Sequence, residues 1–158
     1  MSINNKDFKI DSLIVKVNEL KKNNIIIGFT NGCFDLLHNG HFFSFSESKN
    51  KCDYLIVGIN SDTSIKLLKG NNRPIDNEYQ RIKNISLRSE VDAIIVFHEK
   101  NPLDLIKKIK PNILFKGADY KDKEIVGSEF IISYGGKVEL TDILNGYSTT
   151  NIIKNSSC

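Results

Sequence analysis

The feature that most constrains this chain is the stretch 25–41, IIIGFTNGCFDLLHNGH, in which a short apolar run passes through a glycine-containing loop into a new periodicity near Asn39. An apolar run bounded by glycine reads as a buried strand, and the change of period reads as a helix start. Sheets built from such units keep their ligands at the carboxyl ends of the strands, beside helix N-termini whose unpaired N–H groups and dipole attract phosphate. His38 and His41 stand at that junction. Three residues apart, they share one face of the first helical turn.

The remaining chain repeats the unit. Helical spacing of Leu13, Ile14, Val17 and Leu20 predicts a helix over 11–22, with Asp11 as its cap. Strands are predicted over 24–29, 53–60, 92–97, 113–116 and 137–140. Helices are predicted over 39–50, 63–68, 78–89, 102–109 and 124–134, and a capped helix start over 151–154 follows Ser148-Thr149-Thr150. Strands alternating with helices imply an α/β fold, a Rossmann-like, doubly wound parallel sheet of about five strands. The 158 residues suit a single domain spanning 1–158, with residues 1–22 as an N-terminal helix and the core over about 23–154.

Composition narrows the class. A hydrophobic content of 40% with 26% charged residues argues against disorder. The net charge of +3 is spread among interspersed acids and bases, so no nucleic-acid partner is expected. Cys33, Cys52 and Cys158 form an odd set without a C-x-x-C pair, which offers neither a disulfide framework nor a zinc site. The N-terminus lacks a signal-peptide apolar region, and nothing approaches the ~18 apolar residues of a membrane span. A soluble, cytoplasmic protein with no membrane partner is the expectation.

Three polar clusters fall at strand ends or helix starts: 30–41, 69–81, and 116–120 with 148–154. Loops leaving the carboxyl ends of parallel strands share one rim, so these segments can surround one ligand, and their Lys, Arg, His, Ser and Thr content suits phosphate. Neither G-x-G-x-x-G nor G-x-x-x-x-G-K-[ST] is present, which weakens a dinucleotide oxidoreductase or a P-loop kinase. H-x-G-H stands instead, as His38-Asn39-Gly40-His41.

With that motif the chain resembles the H-x-G-H nucleotidylyltransferases. Four runs in order, TNGCFDLLHNGH, NSDTSIKLLKGNNRPI with Gln80-Arg81, KGADYKDKEIVGSE and GYSTTNII, are similar to the D-glycero-D-manno-heptose 1-phosphate adenylyltransferases. The resemblance implies transfer of AMP from ATP to a heptose 1-phosphate, giving ADP-heptose and pyrophosphate for lipopolysaccharide or surface-glycan precursors. It implies His38, His41 and Lys69 as catalytic groups. Thr30, Asn31, Gly32, Cys33, Phe34, Gly40, Lys116, Gly117, Asp119, Tyr120, Ser148, Thr149 and Thr150 would contact the nucleotide. Asp35, Asn60, Arg73 and Arg81 would contact the sugar phosphate, with Asp35 facing either the sugar or the metal. The cofactor implied is Mg²⁺, held mainly through phosphates with no protein ligand assigned.

Plainer readings stand beside these. Cys33 reads as a small packing residue, because the chemistry needs no thiol. Arg81 can pair with Glu78 on its own helix, and Ser148-Thr149-Thr150 can act as a helix cap. Many members of the resembled family are fused to a sugar kinase, and no kinase sequence is present here, so a separate heptose kinase is the expected upstream partner. Lys154 stands roughly where other branches place an arginine, which keeps the charge but loses bidentate contact. A homodimer rests on resemblance alone. The alternatives are a cytidylyltransferase for glycerol 3-phosphate or a similar alcohol phosphate, and a non-catalytic nucleotide-binding module.

Overall fold

Parallel strands buried on both faces need apolar side chains on alternate sides, and the computed structural model, which describes residues 5–120 and 123–142, is built that way. Six strands, β1 (Asp7–Phe8), β2 (Ile27–Gly32), β3 (Tyr54–Asn60), β4 (Ala93–Phe97), β5 (Ile113–Gly117) and β6 (Lys137–Thr141), lie in the order β1-β4-β3-β2-β5-β6. Every pairing is parallel. The helices are α1 (Ile10–Lys22), α2 (Asn39–Lys49), α3 (Asp62–Lys69), α4 (Glu78–Ser86), α5 (Leu103–Ile109) and α6 (Ser128–Ser133), with a 3-10 turn at Ala118–Tyr120.

Two cores result. Ile27 and Phe29 of β2, Ile56 of β3 and Leu114 of β5 pack under α1, α5 and α6, through Leu13, Val17, Ile106, Ile109 and Ile131. Their sequence neighbours Leu55, Val57, Ile113 and Phe115 face the other side, against Phe45 of α2 and Ile82 and Ile85 of α4. Covering both faces is what turns each strand into the continuous apolar run seen in the sequence.

Among the described residues the sheet has six strands where the sequence predicts about five. The extra one, β1, adds only Asp7 and Phe8 beside Ile94 and Ile95 of β4, too short to show alternation in sequence. Other boundaries move for local reasons. Asn24 takes a left-handed φ of 58° after α1, so β2 starts at Ile27. Lys9, not Asp11, is the N-cap of α1, and Asp11 lies in the first turn, where its charge suits the helix dipole. Gly127, with φ 90°, opens α6 only at Ser128. The predicted helix over 151–154 lies outside the described residues.

From β2 the chain moves outward through β3 to β4, then returns to place β5 on the other flank of β2. The crevice where the winding reverses lies at the carboxyl ends of β2 and β5, the place where such sheets bind ligands. Among the described residues no helix is long and apolar enough to cross a membrane.

Close packing at the centre of the sheet sets a test. A Cβ added to Gly28 would lie 2.5 Å from Cε2 of Phe115 and 2.8 Å from Sγ of Cys52, both buried. Gly28→Ala is expected to destabilise the fold by about 1–3 kcal/mol, measured by urea unfolding, and Phe115→Leu on that background should restore part of the loss. A change within about 0.5 kcal/mol, typical of an open surface site, would contradict this packing.

Candidate functional site

The loop after β2 is bent by two residues with left-handed backbones, Phe34 (φ 52°) and Leu36 (φ 54°). Such conformations cost on the order of 1 kcal/mol each for non-glycine residues and persist only where surrounding contacts hold them. Asp35, between them, supplies that hold. It is 1% exposed, and its Oδ2 accepts from Nε and Nη2 of Arg73 (2.9 and 2.7 Å) and from the N–H of Ile75 (2.9 Å), while Oδ1 accepts from the N–H of Asp76 (2.9 Å). Burial alone would raise its pKa. The two amides and the guanidinium outweigh that and hold the carboxyl below its ordinary range.

A second clamp joins this loop to β3. Arg81 on α4 is 0% exposed. Its Nη1 donates to the carbonyls of Cys33 (2.8 Å) and Asn60 (2.6 Å), its Nε to that of Asp76 (3.1 Å), and its Nη2 to Oδ1 of Asp62 (2.8 Å). The ends of β2 and β3, the start of α3 and the segment before α4 therefore meet on one guanidinium.

These contacts correct three readings. Arg81 is neither a substrate cation nor paired to Glu78, because its donors are committed to the interior. Asp35 has both oxygens engaged and faces neither a sugar nor a metal, and Arg73 is its buried partner. Phe34 is likewise buried, set against Phe45 (5.4 Å between ring centroids) and edge-on to His41 (5.4 Å), so it backs the site from within. Its ring also lies 3.2 Å from where a Cβ on Gly32 would sit, which is why that position suits glycine.

His38 and His41 begin α2. His38 is the N-cap, and its Nδ1 accepts from the N–H of Gly40 at 3.0 Å, while Nδ1 of His41 accepts from the N–H of His38 at 3.3 Å. Two imidazoles thus exchange the reciprocal contacts that Ser/Thr and Glu make in a capping box. Because each Nδ1 receives a backbone N–H it carries no proton, and the ring hydrogen resides on Nε2. Burial lowers the pKa of His38. Burial and then the neighbouring His38 lower His41 to about 3. With ring centroids 4.0 Å apart, the two imidazoles lie together at the helix N-terminus, with Nε2 left as the donor atom of each and that of His38 buried. The N–H of Gly40 serves His38 here and is not presented outward.

At the carboxyl ends of β2, β3 and β5 lies a cleft of about 340 Å³, lined by Asn31, Gly32, Cys33, Asn60, Lys69, Lys116 and Tyr120 among others, and not by His38 or His41. The predicted residues from β2, β3, α3 and β5 therefore do converge. Nζ of Lys116 donates to Oδ1 of Asn31 at 2.8 Å across the β2–β5 crevice and sits 5.0 Å from the centre of the Tyr120 ring. Burial lowers its pKa to about 8, partly offset by Asp119. Burial, then the charge of Arg73, lowers Lys69, against a smaller opposing pull from Asp35. Thr30 is buried within β2, and exposed Asp119 turns its carboxylate towards Gly117, where a Cβ would meet Oδ1 at 2.6 Å. Lys100 and Asn101, in the loop after β4, also line the cleft and carry no motif signal. Only their place after the carboxyl end of a strand could have pointed to them. Ser148, Thr149 and Thr150 lie outside the described residues. Among those described, no group of His, Cys, Asp and Glu is placed to hold a metal ion.

A family model described as cytidylyltransferase-like matches residues 29–155. The bifunctional protein HldE of Paramagnetospirillum magneticum is 48% identical over 81% of the chain, and that of Nitrobacter hamburgensis 43% over 91%. The chain spans 26% and 29% of these relatives' lengths. The crystal structure of the lipopolysaccharide core biosynthesis protein from Thermoplasma volcanium is 31% identical, with a TM-score of 0.60 over 76% of this chain and 97% of that one. Pantoate-beta-alanine ligase from Francisella tularensis shares the fold at 19% identity, with a TM-score of 0.64 over 87% of this chain and 66% of that one.

Two measurements test the site's construction. Arg81→Leu leaves three carbonyls and Asp62 without their donor and should cost about 3 kcal/mol or more in unfolding free energy, whereas a loss below about 1 kcal/mol would contradict the clamp. A folded pKa near 3 for His41 means the unfolded chain takes up this proton first, so the stability from neutral His41 is complete above about pH 6.5 and is lost as pH falls towards 3. Between about pH 6 and 4 the wild type should lose up to about 1.4 kcal/mol per pH unit more than His41→Asn. Parallel stability curves for the two proteins would sink that account.

Proposed function

The chain belongs to the cytidylyltransferase-like family and is a nucleotidyltransferase, and from that premise we propose that it joins the AMP of ATP to a heptose 1-phosphate, releasing pyrophosphate. The observation that carries the reading is the pair of imidazoles locked through Nδ1 at the start of α2, together with a cleft at the strand ends lined by Lys69 and Lys116. The choice of a heptose is supported by the four runs shared with heptose 1-phosphate adenylyltransferases and by the likeness to a lipopolysaccharide core biosynthesis protein.

In the proposed reaction an anionic oxygen of the sugar phosphate attacks the α-phosphorus of ATP, a new P–O bond forms, and the bond to the β-phosphate breaks. A phosphate monoester is already an anion at neutral pH, so no general base is required. The protein's contribution is positioning and charge stabilisation. Nε2–H of His38 and His41 would donate to the α-phosphoryl oxygens as charge builds on them, with the positive end of α2 behind them. Burial lowers the pKa of both rings, that of His41 to about 3, which favours this neutral donor form. Lys69 would meet charge on the phosphates, and Lys116 would face the nucleotide from the β5 side.

When bound, Mg²⁺ would supply neutralisation of the triphosphate charge. Asp35 is fully engaged, which leaves exposed Asp119 as the carboxylate among the described predicted site residues that would be open to it. A sugar kinase would supply the heptose 1-phosphate, and ATP as co-substrate fits a cytoplasmic location.

Pyrophosphate release with matched pairs of substrates tests the reading. Turnover is expected with ATP and a heptose 1-phosphate; release only with CTP and glycerol 3-phosphate would replace it with the cytidylyltransferase alternative. His41→Ala should lower kcat by roughly 10²–10³-fold while ATP affinity changes far less. Equal loss of affinity and turnover would favour a binding module.

A further inference from the structure

The loop between β4 and α5 enters the site without belonging to any motif. It leaves the sheet at Phe97, which pairs with Asn60 at the end of β3, so both strands deliver their next residues to the same rim. A buried relay fixes it there. Nδ2 of Asn60 donates to Oγ of Ser64 at 3.0 Å, and that hydroxyl donates to the carbonyl of Glu99 at 2.7 Å, while the N–H of Ser61 donates to the carbonyl of Phe97 at 2.9 Å. Asn60 and Ser64 are almost fully buried, and such satisfied internal networks rigidify what they join. On the far side of Lys100, Oδ1 of Asn101 accepts from the N–H of Leu103 at 3.0 Å. Lys100 is therefore an exposed cation on a fixed backbone.

The cleft it lines is strongly biased in charge. Three lysines, Lys69, Lys100 and Lys116, face a single carboxylate, Glu124, among the described lining residues. Lys116 is committed to Asn31, whereas neither Lys69 nor Lys100 has an ion-pair partner among the described residues. A volume of about 340 Å³ is at the small end of ligand pockets, suited to a sugar phosphate and too small for a complete nucleoside triphosphate as well. We propose that the β4–α5 loop is the acceptor-recognition element of this enzyme, with Lys100 binding the phosphate of the sugar phosphate opposite Lys69. This rests on the sugar-phosphate reading above.

The test is a split in Michaelis constants. Lys100→Ala should raise KM for the phosphorylated acceptor roughly tenfold or more while KM for ATP stays within about twofold, and Lys100→Arg should restore most of the loss. An acceptor KM within twofold of wild type, or an equal rise in KM for both substrates, would overturn the assignment. Measurements use whichever phosphate monoester the wild type turns over, with its own nucleotide. Failure with heptose 1-phosphate alone therefore removes the heptose reading and leaves the role of Lys100 exposed to the same test. Absence of turnover with every phosphate monoester would overturn both.

Discussion

One guanidinium holds the catalytic rim together. Arg81 reaches the backbone at the ends of two neighbouring strands and at the segment leading into its own helix, and it ends on the carboxylate at the start of α3. A buried charge is costly unless its hydrogen-bonding capacity is filled, and here each guanidinium nitrogen has an acceptor. Asp35 repeats the principle with opposite sign, collecting four donors in the loop that carries the motif. The two groups share the backbone of Asp76, whose carbonyl accepts from Arg81 and whose N–H donates to Asp35. They form one scaffold, and the two left-handed residues either side of Asp35 are the strain it sustains.

What the scaffold presents is rigid and neutral. His38 and His41 are tied through Nδ1 to backbone amides, backed by Phe34, and kept uncharged by burial. Transfer of a nucleotidyl group between phosphates needs little proton movement but much placement of donors around developing charge. A helix start with two fixed donors, following the carboxyl end of β2, meets that need without reorganising during the reaction. The polar relay from Asn60 to Glu99 extends the same logic to the loop after β4.

Much of this was legible in the residues. Apolar runs bounded by turn signals located the five longer strands, and the spacing of His38 and His41 placed them at a helix start. Asp7 and Phe8 carry no strand signal, because two residues cannot display alternation. Arg73, Arg81 and Asp35 resemble ligand contacts in sequence for a physical reason. Sequence shows that a charge is present near a site but not whether it points outward or into the scaffold, and the same residue types serve both purposes. Lys100 shows the converse: a lysine in a polar loop looks solvated until the parallel register of β3 and β4 puts it on the rim. Phe34 reads as part of a nucleotide motif, yet only tertiary contacts reveal that it supports His41 from beneath.

The account depends most on the two histidines acting as donors to the α-phosphate of a nucleotide. A crystal structure with a non-reactive ATP analogue and a sugar phosphate tests this most directly. It should place Nε2 of both His38 and His41 at hydrogen-bond distance, about 2.7–3.2 Å, from α-phosphoryl oxygens, with the acceptor oxygen in line behind the phosphorus. An α-phosphate seated elsewhere on the rim, with the two imidazoles facing only solvent, would contradict it.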